Sequence, residues 1–299
     1  MPVTTPDPTP LAIELASWYA AEARDLPWRR EDFAEHYGAW GTLVSEFMLQ
    51  QTPVTRVIPR LDAWLKRWPS PRRMAQARPA EVVEQWANLG YPRRALWLHR
   101  AAIEICERHG GEVPRDVDAL LELSGIGDYT ARAVAVFSFG DHHPVVDTNT
   151  RRVIARAIDG RSQPGPASRR DLAAMSALLP HEYADAAVFN AAMMELGAVV
   201  CTARSPRCDA CPIAHRCTWV AAGRPDTGDT RPRQARYEGS DRQTRGAVLA
   251  ALRSAAEHTL PAFAVIPDWP DPAQRDRAID SLIADGLAEA IDDVLRLPR

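Results

Sequence analysis

The stretch LLELSGIGDYTARAVAVFSFG, residues 120–140, contains two short helical patterns joined by Gly125-Ile126-Gly127. Glycine tolerates a positive φ angle, and a helix N-terminus exposes backbone N–H groups that bind phosphate. A helix-hairpin-helix of this kind holds the DNA backbone without reading the base sequence. Taken by itself, the stretch is also compatible with an ordinary glycine turn between two packed helices.

Helical periodicity of apolar residues continues on both sides of this hairpin. Prolines and glycines separate the segments, and almost no alternation of period two occurs before residue 285. The first 220 residues are therefore predicted to be all-α. The predicted helices are 11–23, 42–51, 54–68, 80–86, 94–108, 117–123, 129–139, 150–158, 169–179 and 183–199.

The C-terminal part has a different composition. Residues 223–246 are polar and rich in glycine and proline, which predicts a linker, and residues 1–10 predict a disordered tail. Helices are predicted at about 245–257, 261–266 and 272–285, followed by a hairpin that turns at Asp292-Asp293. This order is typical of a winged helix, predicted here as a small domain over 247–299. Because the segment 239–299 is acidic, packing or a protein partner explains it at least as well as DNA binding.

Composition bounds the possible functions. The net charge of −3 excludes a general positive field, so any grip on DNA depends on local arginines and backbone amides. No run of eighteen apolar residues exists, and the first ten residues are not a signal peptide, so a cytoplasmic protein without a membrane segment is expected. Lys66 is the single lysine and hence the single candidate for a lysine Schiff base.

Four of the five cysteines are crowded into CTARSPRCDACPIAHRC, residues 201–217. Four thiolates within such a short segment can surround one compact centre, either zinc or an iron–sulfur cluster. The uneven 6-2-5 spacing suits a zinc ribbon less well than two close pairs would. Arginines between the ligands would then face DNA phosphates from a loop held in shape by the metal. The four cysteines are Cys201, Cys208, Cys211 and Cys217, and the fifth, Cys106, is predicted to be a core residue.

Two carboxylates stand out from their surroundings. Glu46 lies in VSEFMLQQT, residues 44–52, among apolar residues, which predicts a buried or half-buried acid. Burial favours the protonated form of a carboxylic acid, as a general acid requires. Asp147 lies in PVVDTNTRRV, residues 144–153, at the predicted start of the helix carrying Arg151 and Arg152. It is a candidate helix N-cap, a role compatible with a catalytic one because a helix N-terminus favours the ionised carboxylate.

The order of these motifs resembles the MutY family of adenine DNA glycosylases, members of the helix-hairpin-helix superfamily that includes endonuclease III. LQQT is followed by LGY at 89–91, SGIGDYTA, PVVDTN, FNAAMMELGAVVC and the cysteine loop. The resemblance implies a glycosylase domain of two helical subdomains over 11–222, with its hairpin at 117–140 and its cluster loop at 201–217. It also implies a [4Fe-4S] cluster on the four cysteines, and a monomer that acts on double-stranded DNA containing mispaired adenine, at the nucleoid.

The resemblance assigns roles to four catalytic residues. Glu46 matches the general acid that protonates N7 of adenine, and Asp147 matches the aspartate that stabilises the oxocarbenium-like sugar. Asn149 and Tyr129 match residues that orient and polarise this pair. Lyase-competent relatives carry a lysine at the position of Tyr129, so the resemblance implies a monofunctional glycosylase that hydrolyses the N-glycosidic bond.

The remaining matched residues are expected to touch the DNA. The residues matched to the adenine pocket are Trp28, Arg29, Leu49 and Glu195. Those matched to contacts with the DNA duplex are Gln51, Thr52, Tyr91, Gly125, Gly127 and Thr130. Of these, Tyr91 matches the residue wedged into the base stack beside 8-oxoguanine. The alternative interpretation is that Tyr91 is a tyrosine buried in the core.

The chain departs from the family's pattern in two places. It has Leu-Gly-Tyr-Pro where Leu-Gly-Tyr-Tyr is common, and the 75 residues after Arg224 are too few for the Nudix-like domain that helps recognise 8-oxoguanine. Discrimination between 8-oxoguanine and guanine is therefore expected to be weaker. Two alternatives stay open: a thymine glycosylase acting on G·T mismatches, and a non-catalytic DNA-binding module that carries a metal cluster.

Overall fold

The structure, a computed structural model, describes residues 8–226 and 236–299. Its helices are α1 (Pro8–Glu22), α2 (Glu31–Leu49), α3 (Val54–Arg67), α4 (Pro71–Ala75), α5 (Pro79–Trp86), α6 (Arg93–Arg108), α7 (Val117–Leu121), α8 (Asp128–Phe139), α9 (Thr148–Ala157), α10 (Arg169–Ser176), α11 (Tyr183–Val199), α12 (Thr218–Ala221), α13 (Asp241–Ser254) and α14 (Pro272–Ala284). The strands are β1 (Thr259–Pro261), β2 (Glu289–Ile291) and β3 (Val294–Arg296). Among the described residues, no helix is both long and apolar enough to cross a membrane.

The predicted all-α class is confirmed, with shifted ends at several helices. Helix α1 includes residues 8–10, which were predicted to belong to a disordered tail; residues 1–7 of that tail lie outside the described residues. Helix α2 begins at Glu31, well before the predicted residue 42, and it is interrupted at Gly38, where φ is +51°. The middle of the predicted linker, residues 227–235, also lies outside the described residues, and α13 already begins at Asp241.

The chain divides into two units, and the first contains the described residues within 1–30, 115–118 and 127–231. Its core is formed by apolar faces of α1, α9 and α11, with α12 packed on α9. Leu15, Phe189 and Leu196 are fully buried there. Three of the four clustered cysteines pack against this core, and the fourth, Cys217, is part of it. The cysteine loop is thus anchored by hydrophobic burial as well as by its ends.

The second unit contains residues 31–114, 119–126 and the described residues within 232–299. Its helices α2 to α6 bury several aromatic side chains, and Trp64 meets both Trp68 and Trp86 edge-on at ring distances of 4.8 and 5.4 Å. Edge-to-face contacts of this kind add stability beyond the burial of surface. They fix α3 against α5, which in turn packs on α6.

The C-terminal segment forms a small three-stranded antiparallel sheet of order β1-β3-β2, beside α13 and α14. The predicted hairpin is confirmed: its turn is at Asp292, where φ is +52°. The short helix predicted at 261–266 is wrong. Strand β1 and one turn of 3-10 helix, Ala262–Ala264, occupy that region, because Leu260 pairs with Leu295 of β3. Three-residue strands lack enough alternation to be recognised in a sequence.

The C-terminal segment shares a hydrophobic core with helix α5. Val83 of α5 is fully buried against Val248, Leu252 and Leu282, and Leu96 of α6 packs at the edge. Core side chains buried on both sides of a boundary couple the folding of the two parts. The predicted domain boundaries at 222/223 and 246/247 remain predictions.

We expect the substitution Leu282→Ala to lower the free energy of unfolding by about 2–5 kcal/mol, the usual result of emptying a buried leucine site. Because Val83 lines the same core, Val83→Ala should weaken the same unfolding transition. Urea unfolding followed by tryptophan fluorescence measures both. Ile291→Ala, at a position 48% exposed, serves as the control and should change little. A separate early transition affected by Leu282→Ala alone would contradict the shared core.

Candidate functional site

Asp147 is the N-cap of α9, as its sequence position predicts. Its Oδ1 accepts a hydrogen bond of 2.7 Å from the backbone N–H of Thr150, and its Oδ2 accepts one of 2.7 Å from Nδ2 of Asn149. The positive end of the helix dipole favours a negative charge at this place. The structure therefore brings two of the predicted catalytic residues together and fixes the carboxylate of Asp147 in one orientation.

Arg152, one turn further along α9, connects this pair to the cysteine loop. Its Nη2 donates to Oδ1 of Asn149 at 2.8 Å and to the carbonyl oxygen of Gly197 at 2.6 Å. Its Nε donates to the carbonyl oxygen of Cys201 at 2.7 Å. Only 5% of Arg152 is exposed, so these oxygens replace the water that the guanidinium loses on folding. The orientation of Asn149 thus depends on the residue that begins the cysteine loop.

Gly197 of α11 makes this arrangement sterically possible. A Cβ atom at residue 197 would lie 2.6 Å from Cβ of Asn149 and 2.8 Å from its carbonyl oxygen. Such distances are far inside van der Waals contact, so any larger residue would push α9 away from α11. The glycine in MMELG is explained by this close approach.

Glu195 lies two residues earlier on α11, and its side chain is fully buried. The sequence suggests an isolated acid in an apolar helix, but the structure surrounds it with two arginines. Arg24 donates from Nε and Nη2, both at 2.7 Å, and Arg29 donates from Nη2 at 2.8 Å. Burial opposes ionisation of Glu195, but these hydrogen bonds outweigh it and lower the pKa to about 2. Glu195 is therefore a carboxylate at neutral pH.

Arg29 and Glu195 were both predicted to line a base pocket; the structure shows that they touch each other, and the pocket itself remains a prediction. The guanidinium of Arg29 also stacks over the ring of Tyr19 at 5.2 Å. Trp28, a third predicted pocket residue, is half-buried in the 3-10 turn Pro27–Arg29. Tyr129 is half-buried in the first turn of α8, against the small core around Val145. All of these residues belong to the first unit.

Glu46 belongs to the second unit, where it is 6% exposed inside α2. Its neighbours Phe47 and Met48 are fully buried, so the prediction of a buried acid in an apolar helix is confirmed. The predicted pocket residue Leu49 is half-buried at the last position of the same helix.

Arg94 of α6 fixes the end of α2. It is 3% exposed and donates to the carbonyl oxygens of Phe47 at 2.6 Å and Met48 at 3.2 Å, and to Oγ1 of Thr52 at 2.9 Å. Burial lowers the pKa of Arg94 to about 10, so the side chain is still charged at neutral pH. Thr52 was predicted to contact DNA. Its side chain is buried and also donates to the carbonyl oxygen of Leu89 at 3.2 Å, so it ties two loops together.

Gln51 and Tyr91 stand on these two loops with unusual backbones. Their φ angles are +54° and +47°, a left-handed conformation that costs a non-glycine residue free energy. Tyr91 is 43% exposed, which excludes its burial in the core, and Gln51 is exposed. Both line a cavity of about 360 Å³ in the second unit. Strained, exposed residues held by a buried arginine are typical of a binding surface.

The hairpin Gly125-Ile126-Gly127 lies between α7 and α8, as predicted. Gly125 has a φ of +77°, and a Cβ atom there would lie 2.7 Å from Cβ of Trp97. Both the backbone conformation and the lack of space therefore require glycine. Gly127 is the N-cap of α8 and is exposed, with open space around its Cα. Thr130 is buried within the first turn of α8. The exposed N–H groups at the start of α8 are suited to an anion.

The four clustered cysteines follow α11 and precede α12. Burial raises the pKa of Cys211 to about 11, and the thiols of Cys201, Cys217 and Cys208 add to this increase. Arg156 of α9 donates to Sγ of Cys201 at 3.5 Å and to the carbonyl oxygens of Thr202 and Ala203 at 2.8 and 3.1 Å. The four sulfurs are thus close enough to interact, and that of Cys201 lies against a cation.

The donor set fits an iron–sulfur cluster. The thiols of Cys201, Cys208, Cys211 and Cys217 lie close enough for their charges to interact. Four cysteine thiolates are the usual ligands of such a cluster, and these four would hold it.

The loop arginines and the fifth cysteine have more ordinary surroundings. Arg207 donates to the carbonyl oxygen of Val199, and Arg216 pairs with Glu14, so among the loop arginines Arg204 is the one expected to remain available to phosphate. Cys106 is half-buried in α6, and burial raises the pKa of its thiol. The sequence motifs assigned no role to Arg24, Arg94, Arg156 and Gly197. Only the i, i+4 spacing of Arg152 and Arg156 gave a signal, since it places both on one face of α9.

Comparisons with known proteins agree with this geometry. Residues 44–173 match the HhH-GPD superfamily of base excision DNA repair proteins, and residues 201–217 match the iron–sulfur binding domain of endonuclease III. An adenine DNA glycosylase of Mycolicibacterium smegmatis is 53% identical over 94% of this chain and 93% of its own. One of Mycobacterium tuberculosis is 47% identical over 95% and 92%. The solved structure of a thermostable thymine-DNA glycosylase, 25% identical, matches with a TM-score of 0.64 over 72% of this chain and 97% of its own.

We expect Glu195→Gln to lower the free energy of unfolding at pH 7 by about 2–3 kcal/mol, less than a fully buried pair loses because both arginines reach solvent. The pKa of Glu195 is depressed from its ordinary 4.5 to about 2. The carboxylate therefore contributes fully above about pH 4.5, and its contribution falls as the pH drops toward 2. Urea unfolding at several pH values in this range measures how the free energies of unfolding of wild type and variant approach each other as the pH falls. Glu31→Gln, at an exposed position, should match wild type throughout; a variant equal to wild type at pH 7 would refute the role of Glu195.

We expect Arg156→Gln to release the metal centre about tenfold faster, because the variant loses charged hydrogen bonds to the loop that holds Cys201. The decay of visible absorbance after addition of a chelator measures the release. Arg204→Gln, on the same loop but exposed, should decay like wild type. Equal decay rates for the two variants would show that Arg156 has no part in retaining the centre.

Proposed function

Because the chain belongs to the adenine DNA glycosylases of the helix-hairpin-helix base excision repair superfamily, we propose that it removes adenine mispaired with 8-oxoguanine or guanine. The enzyme hydrolyses N-glycosyl bonds in DNA and carries a [4Fe-4S] cluster. Adenine is inferred to be the excised base because the chain is 53% identical to an adenine DNA glycosylase over 94% of its length. The identity of the mispaired partner is inferred from the MutY-like motifs alone.

Two carboxyl groups in different surroundings support the proposed chemistry. Glu46, buried in the apolar part of α2, is suited to donate a proton to N7 of the flipped adenine, which makes adenine a better leaving group. Asp147, at the positive end of α9, is suited to stabilise the cationic sugar that remains. Asn149 holds Oδ2 of Asp147 and so keeps that carboxylate oriented. Water then completes the hydrolysis.

Lys66 and Tyr129 support a monofunctional enzyme, one that removes the base without cutting the DNA strand. A β-lyase needs an amine nucleophile, and Lys66, the single lysine, is 70% exposed and pairs with Asp62 at 2.8 Å. Hydrogen bonding to Asp62 raises the pKa of Lys66, so its amine stays protonated at neutral pH. Tyr129 occupies the position where lyase-competent relatives are expected to have a lysine. We therefore infer that strand breaks appear only after alkali treatment.

The DNA contacts are inferred from exposure and backbone geometry. Gln51 and Tyr91 present exposed side chains from left-handed positions, and Gly127 presents the N-terminus of α8. Glu195, with Arg24 and Arg29, forms a charged group suited to hydrogen-bond the edge of a base. The cluster supplies a rigid cross-link for the loop that carries Arg204. We also infer a monomer at the nucleoid of the cytoplasm; a protein partner for the C-terminal segment remains a prediction.

The thymine alternative has two observations in its favour: the structural similarity to a thymine-DNA glycosylase, and 34% identity over 70% of the chain to a thymine/uracil-DNA glycosylase of Pyrobaculum aerophilum. Both identities, 25% and 34%, are below the 53% to an adenine enzyme over 94% of the chain, so adenine is preferred. A non-catalytic module is disfavoured by the burial of Glu46 and by the fixed carboxylate of Asp147, because DNA binding alone needs neither.

We expect wild type to excise adenine opposite 8-oxoguanine and opposite guanine, but not from matched A·T. The variants Asp147→Asn and Glu46→Gln should reduce the single-turnover rate at least 100-fold, the usual contribution of a catalytic proton donor or charge. Asparagine is also a good N-cap, so Asp147→Asn tests charge with little loss of stability. Gel separation of cleaved strands, with and without alkali, measures the rate and the absence of lyase activity.

Glu112→Gln is the matched control, since it removes an exposed carboxylate of the second unit and should excise like wild type. Excision of thymine from a G·T duplex would transfer the assignment to the thymine branch. Intact duplex binding without excision of any base would favour the non-catalytic module.

A further inference from the structure

The cavity beside Gln51 and Tyr91 has a wall made by the C-terminal segment. It is lined on one side by Gln50, Gln51 and the start of α6, and on the other by Arg245 of α13 and Asp285, the residue that follows α14. Its volume of about 360 Å³ lies in the range of pockets that hold small ligands. All of its lining residues belong to the second unit.

An ion triad joins the two walls. Asp285 accepts from Nη1 of Arg93 at 3.2 Å and from Nη2 of Arg245 at 2.5 Å. Arg245 is itself held by a hydrogen bond of 2.6 Å from Nη1 to Oγ of Ser281. Asp285 takes one N–H group of Arg93, and a guanidinium carries five. The triad therefore orients Arg93, which is 51% exposed, while leaving donors for a ligand.

The lining combines positive charge with two partly exposed aromatic rings, Trp97 and Tyr91, each with an arginine over one face. Three arginines and one carboxylate line the cavity, namely Arg93, Arg94, Arg245 and Asp285. The net charge of the lining is positive, so the cavity attracts anions. Trp97 and Tyr91 are 37% and 43% exposed, although large aromatic side chains are usually buried. Arg93 already stacks over Trp97 at 5.1 Å. Arginine beside exposed aromatic rings is the usual composition of a site for a nucleotide, whose base stacks and whose phosphate is charged.

We propose that this cavity binds one nucleotide of the DNA strand that keeps its bases. Its phosphate contacts Arg93, and its base lies against Trp97 and Tyr91 with the amides of Gln50 and Gln51 at its edge. Arg245 and Asp285 are positioning residues that act through Arg93, so the C-terminal segment becomes part of the DNA-binding surface. The inference rests on the proposed function only in taking Gln51 and Tyr91 as contacts of that strand.

The test uses duplexes with a non-excisable fluoroarabino analogue of adenine and one fluorescent 2-aminopurine in the other strand. The 2-aminopurine is placed in turn at five positions centred on the site opposite the analogue. We expect wild type to change the emission at one position, and Trp97→Ala to abolish this change and weaken binding about fivefold or more, as for the loss of one base–aromatic stack. Trp97→Phe should restore most of the emission change and most of the affinity, because phenylalanine can also stack on a base. Trp97 packs against Gly125, so this variant separates a loss of stacking from a disturbance of the hairpin.

The charged residues are tested by the salt dependence of binding to the same duplexes. Arg93→Ala and Asp285→Asn should each lower the slope of log K against log salt by about one, the result expected for one lost phosphate contact. Arg277→Ala removes an exposed arginine of α14 outside the cavity and should behave like wild type. The proposal is overturned if Arg93→Ala matches Arg277→Ala, or if the 2-aminopurine response is the same in wild type and Trp97→Ala.

Excision of mispaired adenine, measured with the same proteins, separates this proposal from the proposed function. Wild type that excises adenine but shows neither readout refutes the nucleotide site alone. Wild type that shows both readouts without excising adenine refutes the proposed function and retains the site.

Discussion

Buried guanidinium groups need hydrogen-bond acceptors, and this requirement organises much of the structure. A buried cation without partners would cost several kcal/mol, so the chain must bring oxygen atoms to it. Arg152 collects oxygens from Asn149, Gly197 and Cys201, and Arg94 collects them from the end of α2. In both cases a loop with a proposed function is fixed by a side chain from a neighbouring helix. Arginine, whose planar fork donates in several directions, is suited to this task, and lysine is not.

The protein handles three carboxyl groups in three different ways. Glu46 is buried inside α2 beside Phe47 and Met48, Asp147 accepts hydrogen bonds at a helix start, and Glu195 lies between two arginines. The helix start orients the carboxylate of Asp147, and the two arginines lower the pKa of Glu195 to about 2, so that it stays ionised. Carboxyl groups of the same chemistry thereby take different roles according to their surroundings. The cost is structural: Glu195 requires both arginines, and Asn149 requires a glycine opposite it.

The surface near Gln51 and Tyr91 is held under backbone strain. Two left-handed non-glycine residues persist there because Arg94, Thr52 and the carbonyl groups around them fix the loops on both sides. Pre-ordering such loops before DNA arrives reduces the entropy lost on binding. The C-terminal segment supports the same region through its core with α5 and its ion pair to α6. A segment with a net negative charge can therefore contribute to a DNA-binding protein.

The sequence by itself determined the features that depend on neighbouring residues. The cysteine spacing, the glycine hairpin, the cap at Asp147 and the order of the helices are local, since each is specified within about twenty residues. Tertiary structure alone decided which distant groups meet. Arg24 and Glu195 are 171 residues apart, the burial of Thr52 depends on Arg94, and β1 exists because β3 pairs with it. Periodicity shows that a face is buried but not what covers it, because partners for a buried charge are chosen by packing, and packing has no local signature in the sequence.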